Sequence, residues 1–284
     1  MAEGKAKSKS GGKRPDLVSL GGLALAVGGI LTGLILDGGK LKDVQQFSAA
    51  IIVLGGTIGA VMLTTPMKAL LGAAGKIGLV FFEKAHSAAA VIDEIVGYAT
   101  QARKQGIVSL ESQAAAIQDP FMRKALNLAI DGIDLQQLRS IMELEITLLE
   151  QHGEAETKVF EAAGGYAPTI GIIGAVLGLM QVMKNLANID EVGHGIATAF
   201  VATVYGVASA NLFFLPAANK LKARLKEEIH IRELVLEGVL SVVEGMNPKL
   251  IRTKLEAYAP AKEGAGKKAK AQAEAAGKPA PVEG

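Results

Sequence analysis

Four stretches of this 284-residue chain are apolar, contain no charged side chain and are long enough to cross a lipid bilayer. A helix needs about 20 apolar residues to span about 30 Å of hydrocarbon, and one charge at its centre costs about 2.5–3.5 kcal/mol. The stretches are residues 17–36, 47–65, 167–183 and 196–218. They predict an all-α integral membrane protein with four transmembrane helices and a large helical cytoplasmic domain.

Lys and Arg flank these stretches unevenly, which predicts how the chain crosses the membrane. Cytoplasmic segments carry an excess of both residues. The segment before the first stretch is basic, and basic residues also follow the second and fourth stretches: Lys68, Lys76, Lys220, Lys222, Arg224 and Lys226. We therefore expect both termini and the long middle loop to be cytoplasmic. The first stretch is too long for the apolar core of a signal peptide, so we interpret it as a retained helix.

These observations divide the chain into six segments. The two ends are rich in Lys, Ala and Gly and have no apolar periodicity, which is typical of disorder. The predicted segments are a disordered basic N-terminus (1–14), transmembrane helices 1 and 2 (15–66), a cytoplasmic helical loop (67–165), transmembrane helices 3 and 4 (166–219), a cytoplasmic helical tail (220–259) and a disordered tail (260–284).

The long cytoplasmic loop contains several signals for helix boundaries. Gly106 predicts a helix end, and Asp119 followed by Pro120 predicts a helix start. Ser109 and Asp134 are candidate N-caps. After Asp134 we expect an apolar stripe that packs inward, formed by Leu138, Ile141, Leu144, Leu148 and Leu149.

The sequence offers no group suited to catalysis. It has no cysteine, which excludes disulfides, thiolate metal sites and a cysteine nucleophile. Its four histidines lack metal-ligand spacing, and neither a phosphate-binding loop nor a nucleophile elbow occurs. The net charge of +2 does not indicate binding to nucleic acid. We therefore expect no enzymatic activity, no metal, no other cofactor and no nucleic-acid partner.

Mildly polar side chains lie mostly in the third and fourth stretches, together with Pro168 and Pro216. Hydroxyls and proline bends suit the wall of a hydrated ion path, although ordinary membrane packing uses the same residue types. A proton relay needs an ionisable group within the membrane, and the four stretches have none. If they line an ion path, the carboxylate must come from another chain. The polar residues are Thr57, Thr169, Gln181, Thr203, Tyr205, Ser209 and Asn211.

Glycines recur within the first and third stretches. Gly174 and Gly178 have the GxxxG spacing that lets two helices touch backbone to backbone. This spacing predicts close helix packing and fits an oligomer.

Several segments resemble one known family. Residues 163–179, AGGYAPTIGIIGAVLGL, resemble the third-span signature of flagellar stator A-subunits of the MotA/PomA type, within the MotA/TolQ/ExbB superfamily. Residues 203–206 and 210–216 resemble the fourth span of that family. Residues 102–111, ARKQGIVSLE, are similar to its rotor-contacting segment, and residues 247–255 match its tail.

The resemblance implies a function and a set of partners. Five A-subunits of this family surround a dimer of single-span B-subunits in the bacterial inner membrane, and the B-subunit carries the ion-binding aspartate. Ion flow down the transmembrane gradient is coupled to torque, and the cytoplasmic loop contacts a rotor switch-complex protein. The expected partners are therefore the B-subunit, the rotor, further copies of this chain and the lipid bilayer. The aspartate of the B-subunit would supply the carboxylate that the four stretches lack.

Carried over by position, the resemblance implies roles for individual residues. Arg103 and Glu111 would face the rotor, and Pro168 and Pro216 would shape the ion path. Ala175 stands where sodium-driven members have a threonine, and Ala202 replaces the first of two paired threonines, which favours protons as the ion. The expected ion-pathway and coupling residues are Pro168, Thr169, Ala175, Thr203, Tyr205 and Pro216.

Three other functions are alternatives for a membrane protein of this kind. A TolQ/ExbB-like energiser of envelope transport is the nearest alternative in mechanism, but three spans are usual in that class, and residues 103–111 argue against it. A self-sufficient channel or transporter would be favoured by intramembrane charge or an inverted repeat, and the sequence has neither. A purely structural scaffold would tolerate replacement of Pro168 and Pro216.

Overall fold

The computed structural model describes residues 14–83 and 87–258. The described part is helical except for loops and one pair of two-residue strands, β1 (Arg14–Pro15) and β2 (Phe82–Glu83), which pair antiparallel. It contains four helical stretches that are long and apolar enough to cross a membrane: Leu17–Leu36, Leu41–Thr64, Leu135–Lys184 and Ile189–Val243. The predicted all-α class with four spanning helices is confirmed. The predictions of disorder for 1–14 and 260–284 lie outside the described residues, except at position 14.

The helices follow one another along the chain with short connections. They are α1 (Leu17–Leu36), α2 (Phe47–Ala50), α3 (Gly56–Thr64), α4 (Met67–Phe81), α5 (Ala88–Gln105), α6 (Glu111–Ala114), α7 (Pro120–Ile130), α8 (Leu135–Lys184), α9 (Ile189–Ala208), α10 (Leu215–Val243) and α11 (Pro248–Glu256). Two π-helical segments, Ile51–Gly55 and Ser209–Phe214, join α2 to α3 and α9 to α10. Two 3₁₀ turns lie at Leu41–Val44 and Ile107–Leu110.

The described residues group into two compact units. Unit 1 comprises those within Met1–Ala85 and Glu150–Leu225, and unit 2 those within His86–Leu149 and Lys226–Gly284. The long helices α8 and α10 therefore contribute residues to both units. The segment boundaries predicted from the sequence refer to the membrane surfaces and stay predictions.

Unit 2 has a core of large aliphatic side chains supplied by α5, α7, α8, α10 and α11. Capping explains where several of these helices begin and end. The Asp119 carboxylate accepts a hydrogen bond from the Met122 backbone N–H at 2.8 Å, with Pro120 in the first turn, and this confirms the predicted helix start. Gly106 ends α5 with a φ of +81°, which glycine adopts without strain. The largest fully buried side chains of this core are Ile95, Leu110, Met122, Leu126, Leu138, Met142, Leu234, Val239, Ile251 and Leu255.

Two predictions about the loop are wrong in detail. Ser109 is not an N-cap, because it lies inside the 3₁₀ turn and its hydroxyl donates to the carbonyl oxygen of Gly106. The inward stripe of α8 contains Leu138 as predicted, but Ile141, Leu144 and Leu148 are exposed. The buried face instead advances in steps of four residues, from Leu138 to Met142 and Ile146, and steps of three rotate away from it because a helical turn has 3.6 residues.

Candidate functional site

The third and fourth apolar stretches form one close helix pair in unit 1. A methyl group added at Gly171 would lie 2.9 Å from the carbonyl oxygen of Ala202, and one at Gly178 would lie 2.8 Å from the backbone nitrogen of Ala199. Both distances are too short for any side chain, so α8 and α9 meet backbone to backbone, as the glycine spacing predicted. By contrast, a methyl group added at any glycine of α1 would meet no atom of another helix within 4 Å among the described residues.

Pro168 lies inside α8, three residues before the close contact that Gly171 makes with α9. Proline has no N–H, so the carbonyl of Gly164 loses its usual intrahelical donor. The next residue, Thr169, is exposed, and its hydroxyl donates to the carbonyl oxygen of Tyr166 at 2.8 Å. The helix can therefore bend near Pro168, where one backbone hydrogen bond is missing. The exposed hydroxyl oxygen of Thr169 can accept hydrogen bonds from water.

The polar side chains of the fourth stretch also donate hydrogen bonds to backbone carbonyl oxygens of their own helix. Thr203 donates to the carbonyl oxygen of Ala199 at 3.2 Å, and Asn211 donates to that of Val207 at 2.9 Å. Such bonds satisfy the donors inside an apolar environment. They leave the side-chain oxygens as acceptors, which suits the solvation of a cationic proton carrier.

Pro216 is the second residue of α10 and lies two residues after the end of the π-helical segment Ser209–Phe214. A π-helical turn shifts the hydrogen-bond register by one residue and often marks a functional position, and Pro216 has no N–H and so removes a further donor. Pro216 is exposed, whereas Ala217 and Ala218 pack in a small apolar cluster with Phe160. This end of the fourth stretch is therefore irregular in its backbone but anchored on one face.

The expected pathway residue Tyr205 and the nearby Ala202 both have clear packing roles in this chain. The Tyr205 hydroxyl donates to the carbonyl oxygen of Val44 at 2.5 Å and accepts from the Gln46 N–H at 3.4 Å, which ties α9 to the start of the second span. Ala202 is fully buried, and its methyl group occupies the space in front of Gly174. Ala175 is half-buried. The pathway roles of these residues stay predictions.

The two expected rotor-facing charges lie in unit 2 on either side of Gly106. Arg103 is exposed in the last turn of α5, and Glu111 is exposed at the start of α6. The 3₁₀ turn between them is anchored by Leu110, which is fully buried. The two charges therefore belong to separate helices joined by a bend, as the glycine predicted.

Comparison with known proteins identifies the family. The family described as the MotA/TolQ/ExbB proton channel family matches residues 113–234. The chain is 37% identical to Motility protein A of Bacillus subtilis over 252 aligned residues. The alignment covers 87% of this chain and 92% of that protein. The chain belongs to the MotA/TolQ/ExbB proton channel family. It is also 33% identical to Chemotaxis protein PomA of Vibrio alginolyticus over 243 aligned residues, and this alignment covers 86% of the chain and 95% of PomA.

Solved structures of relatives agree with this assignment. The C. jejuni MotAB structure matches with a TM-score of 0.82 and 30% identity, covering 87% of this chain and 96% of that chain. The flagellar MotAB stator complex from Bacillus subtilis matches with a TM-score of 0.81 and 36% identity, covering 88% of this chain and 98% of that chain. The resemblance to MotA and PomA inferred from the sequence is confirmed, and the helical fold of this MotA/TolQ/ExbB chain is that of its stator relatives.

An ion cluster at the start of α1 was missed by the sequence reasoning. The Asp16 carboxylate accepts from the Ser19 N–H at 3.1 Å as the N-cap of α1, and it also binds Lys220 at 2.5 Å and Arg224 at 2.9 Å. The hydrogen bonds from Lys220 and the Ser19 N–H hold the pKa of Asp16 well below its usual range. Only the cap could have been foreseen, because Asp16 directly precedes an apolar helix.

Arg224 extends this cluster to the end of α4. Its second guanidinium nitrogen donates to the carbonyl oxygen of Phe82 at 2.7 Å, and the Asp16 backbone N–H donates to the carbonyl oxygen of Phe81 at 2.8 Å. A second pair joins α4 to α8 within the same unit, with Lys76 2.5 Å from the Glu156 carboxylate. In this MotA/TolQ/ExbB chain, ion pairs therefore connect α1, α4, α8 and α10 beside the apolar stretches.

A recess of about 250 Å³ lies between the second span, α8 and α9, and most of its wall is apolar. Its polar lining comes from Ser48, Gln181, Glu191, His194 and Thr198. Gln181 was noted among the polar residues of the spans, but none of the expected pathway residues lines this recess. A separate buried hydroxyl, that of Thr57, makes no hydrogen bond with the described residues.

Proposed function

We propose that this chain is the ion-conducting A-subunit of a flagellar motor stator, and that it couples proton flow to torque on the rotor. The observation that carries the proposal is the match to MotAB stator structures along 87–88% of the chain, at TM-scores of 0.81–0.82. Four spans without a charged residue add a physical reason, because they form the wall of a path but lack the acid that a proton relay requires.

A companion B-subunit supplies that acid in the proposed mechanism. The relatives of known structure are MotAB complexes, and a single-span partner with a membrane aspartate completes the path. The ring of A-subunits is a pentamer in the proposal. The open glycine face of α1 offers a surface for contacts between chains, because small residues allow close approach of helices.

The proposed site of action is the bacterial inner membrane with both termini in the cytoplasm. The distribution of Lys and Arg supports this orientation. Asp16, Lys220 and Arg224 then lie at the cytoplasmic edge, where the cluster joins the start of α1 to the helix that follows the fourth span.

Torque arises in this proposal from a bend in the helix pair. Protonation and deprotonation of the B-subunit aspartate change the contacts of α8 and α9 near Pro168, where the backbone ladder is weakened. Because α8 and α10 contribute residues to both units, a bend near Pro168 or Pro216 can reach the segment that bears Arg103 and Glu111. Those two charges contact the rotor switch-complex protein.

The proposal favours protons over sodium as the conducted ion because the spans lack hydroxyl ligands at two positions. Sodium must exchange its water for several oxygen ligands, as hard cations do. Ala175 and Ala202 offer none, which leaves the hydroxyl of Thr203 as the side-chain oxygen at these three positions. The chain needs no cofactor and catalyses no covalent chemistry in this proposal.

Complementation tests the function. The chain is expressed in a flagellated bacterium that lacks both of its own stator subunits, with and without the cognate B-subunit. We expect swimming only with both subunits present. Membrane insertion without motility under both conditions, in a host whose rotor accepts related stators, would refute the stator assignment and would favour an energiser of another envelope system.

A further inference from the structure

The recess in unit 1 brings titratable side chains to the uncharged wall of the spans. Among the described residues that line it, only Glu191 and His194 are titratable. The two lie three positions apart near the start of α9, so they share one face of that helix. None of the Lys or Arg side chains that the structure describes lines the recess. The second span and α8 contribute uncharged residues to the lining: Ser48, Ile52, Leu177, Gly178 and Gln181.

Hydrogen bonds fix the polar groups around this recess. From the short connection between α8 and α9, the Asn185 amide nitrogen donates to the Glu191 carboxylate at 3.3 Å. The Thr198 hydroxyl donates to the carbonyl oxygen of His194 at 2.9 Å, which leaves the Thr198 oxygen as an acceptor for water. Neither bond uses the imidazole of His194, and this residue is exposed. The imidazole is therefore able to exchange a proton with water.

The recess lies about one helical turn outward from expected ion-pathway positions on the same two helices. On α8, Gly178 lines the recess three residues beyond Ala175, and on α9, Thr198 lines it five residues before Thr203. At about 1.5 Å per residue, these steps correspond to about 5 Å and about 8 Å along the helices. The connection between α8 and α9 is external in the proposed orientation, so the recess faces the side from which protons enter.

We propose that Glu191 and His194 form a proton-collecting site at the outer mouth of the ion path. The proposal rests on the proposed function and names residues that supply its protons. Hydronium in the external water gives a proton to the imidazole of His194, and the imidazolium returns that proton to a water molecule in the recess, on the side of Ala175 and Thr203. Water carries the proton on to the carboxylate of the B-subunit. Only bonds to hydrogen form and break, so the step needs no redox partner.

Electrostatics explains why a carboxylate accompanies the imidazole. An imidazole is the side chain that changes charge between about pH 5 and pH 8, so it can take up and release a proton under ordinary external conditions. Negative charge in a cleft with low-dielectric walls concentrates cations and raises their on-rates by about 10–1000-fold. Lys184 and Asp190 are the charged residues that flank the recess in sequence, and neither lines it. Glu191 therefore provides the attracting charge within the recess itself.

The dependence of rotation on external pH tests the site. Single motors of cells that contain this chain and its B-subunit are observed at low load, and speed is measured against external pH. We expect His194→Asn and Glu191→Gln to need about tenfold more external protons for half-maximal speed, while the maximal speed at acid pH stays that of the parent. Asp190→Asn is the matched control, because Asp190 is the adjacent exposed carboxylate on α9 but does not line the recess. It should follow the parent at every pH.

Other outcomes of this experiment contradict the proposal. Slowing by the same factor at every pH would show that Glu191 and His194 only support the fold, and unchanged curves would show that they play no part. An equal shift for Asp190→Asn would assign the effect to general surface charge. The proposed function is tested separately, because the parent chain must first restore rotation together with the B-subunit. Failure at that stage removes the stator function, whereas parent-like curves of the variants remove only the collecting site.

Thiol labelling from outside tests whether water reaches the recess, even if the variants above fail to accumulate. Because the chain has no cysteine, Ser48→Cys places one thiol in the recess with little change in size. A membrane-impermeant cationic methanethiosulfonate reagent is expected to modify it and to shift the pH curve as Glu191→Gln does. Ser19→Cys, in the first turn of α1 at the other end of the spans, is the control and should not react. An unreactive Ser48→Cys in an assembled stator, or a modified one with an unchanged curve, would overturn the proposal.

Discussion

Replacement of Asp16 with alanine tests how the first span is fixed to the rest of unit 1. The change removes the N-cap of α1 and the shared partner of Lys220 and Arg224 in one step. Asp16 itself is buried, with 8% of its surface exposed, and it is covered by these side chains rather than by a deep core. Arg224 also keeps a buried nitrogen without a hydrogen-bond partner among the described residues, so it is poorly prepared to lose the carboxylate.

The expected loss follows from these contacts. An N-cap is worth about 1 kcal/mol, and a hydrogen bond to a charged group about 1.5–3 kcal/mol. Solvent reduces the contribution of these hydrogen bonds, because the side chains of Lys220 and Arg224 remain 33% and 17% exposed. We therefore expect Asp16→Ala to lower the free energy of unfolding by about 2–4 kcal/mol in all. Asp16→Asn keeps the cap and should lose about 1 kcal/mol less.

The assay is thermal unfolding of the purified stator complex in lipid nanodiscs. The expected loss corresponds to a fall in Tm on the order of 10 °C for a domain of this size. Asp43→Ala is the matched control, since the Asp43 carboxylate caps the 3₁₀ turn through the Lys40 N–H at 2.7 Å but has no cation partner within residues 14–83 and 87–258. A Tm for Asp16→Ala no lower than that of Asp43→Ala would refute the account of the cluster.

The pH dependence of this effect has a definite sign. The pKa of Asp16 is lowered in the folded protein, so its stabilising contribution is fully present above the unfolded pKa of about 3.9 and is lost as the pH falls through the folded pKa. The difference in Tm between the parent and Asp16→Ala should therefore stay constant from about pH 5.5 to pH 8. A difference that shrinks steadily across this range would contradict the pairing.

Four further predictions concern the proposed mechanism and the packing of α8 on α9. Pro168→Ala should abolish swimming while membrane insertion stays normal, and full motility would argue against a coupling role. Arg103→Glu should impair torque more than stator assembly, which stator counting by fluorescence can measure; equal rotation of variant and parent would remove it from the contact. Gly178→Leu should prevent stable accumulation of the protein because its side chain meets the α9 backbone, and a normal membrane level would contradict that packing. Swimming speed at fixed pH should not depend on external sodium, and a steep dependence would overturn the assignment of protons.

Local patterns predicted the parts of the fold that depend on neighbours in sequence. The charge-free stretches gave the four spans because the cost of charge in a membrane acts on each helix by itself. Gly106 and the Asp119–Pro120 pair marked helix ends correctly, since capping involves only adjacent backbone groups. Gly178 was correctly expected at a close helix contact, but the sequence could not say that its partner is α9 of the same chain.

Features that depend on distant contacts escaped prediction. Asp16 meets Lys220 and Arg224 more than 200 positions along the chain, and no periodicity links them. The hydroxyl of Tyr205, a residue expected to line a path, also binds the backbone at Val44, and only the packing of the spans reveals that bond. The outward face of α8 at Leu144 was mistaken for its core because both faces carry aliphatic residues. The pathway itself cannot be completed from one chain if another supplies its acid.

Proton flux through the purified chain in liposomes probes the claim on which the whole account depends. Under an imposed gradient and membrane potential, the chain alone should leave the internal pH unchanged, and vesicles that also contain the B-subunit should take up protons. Uptake that is lost when the membrane aspartate of the B-subunit becomes asparagine would fit the account. Gradient-driven proton entry through this chain with no other protein present would contradict it.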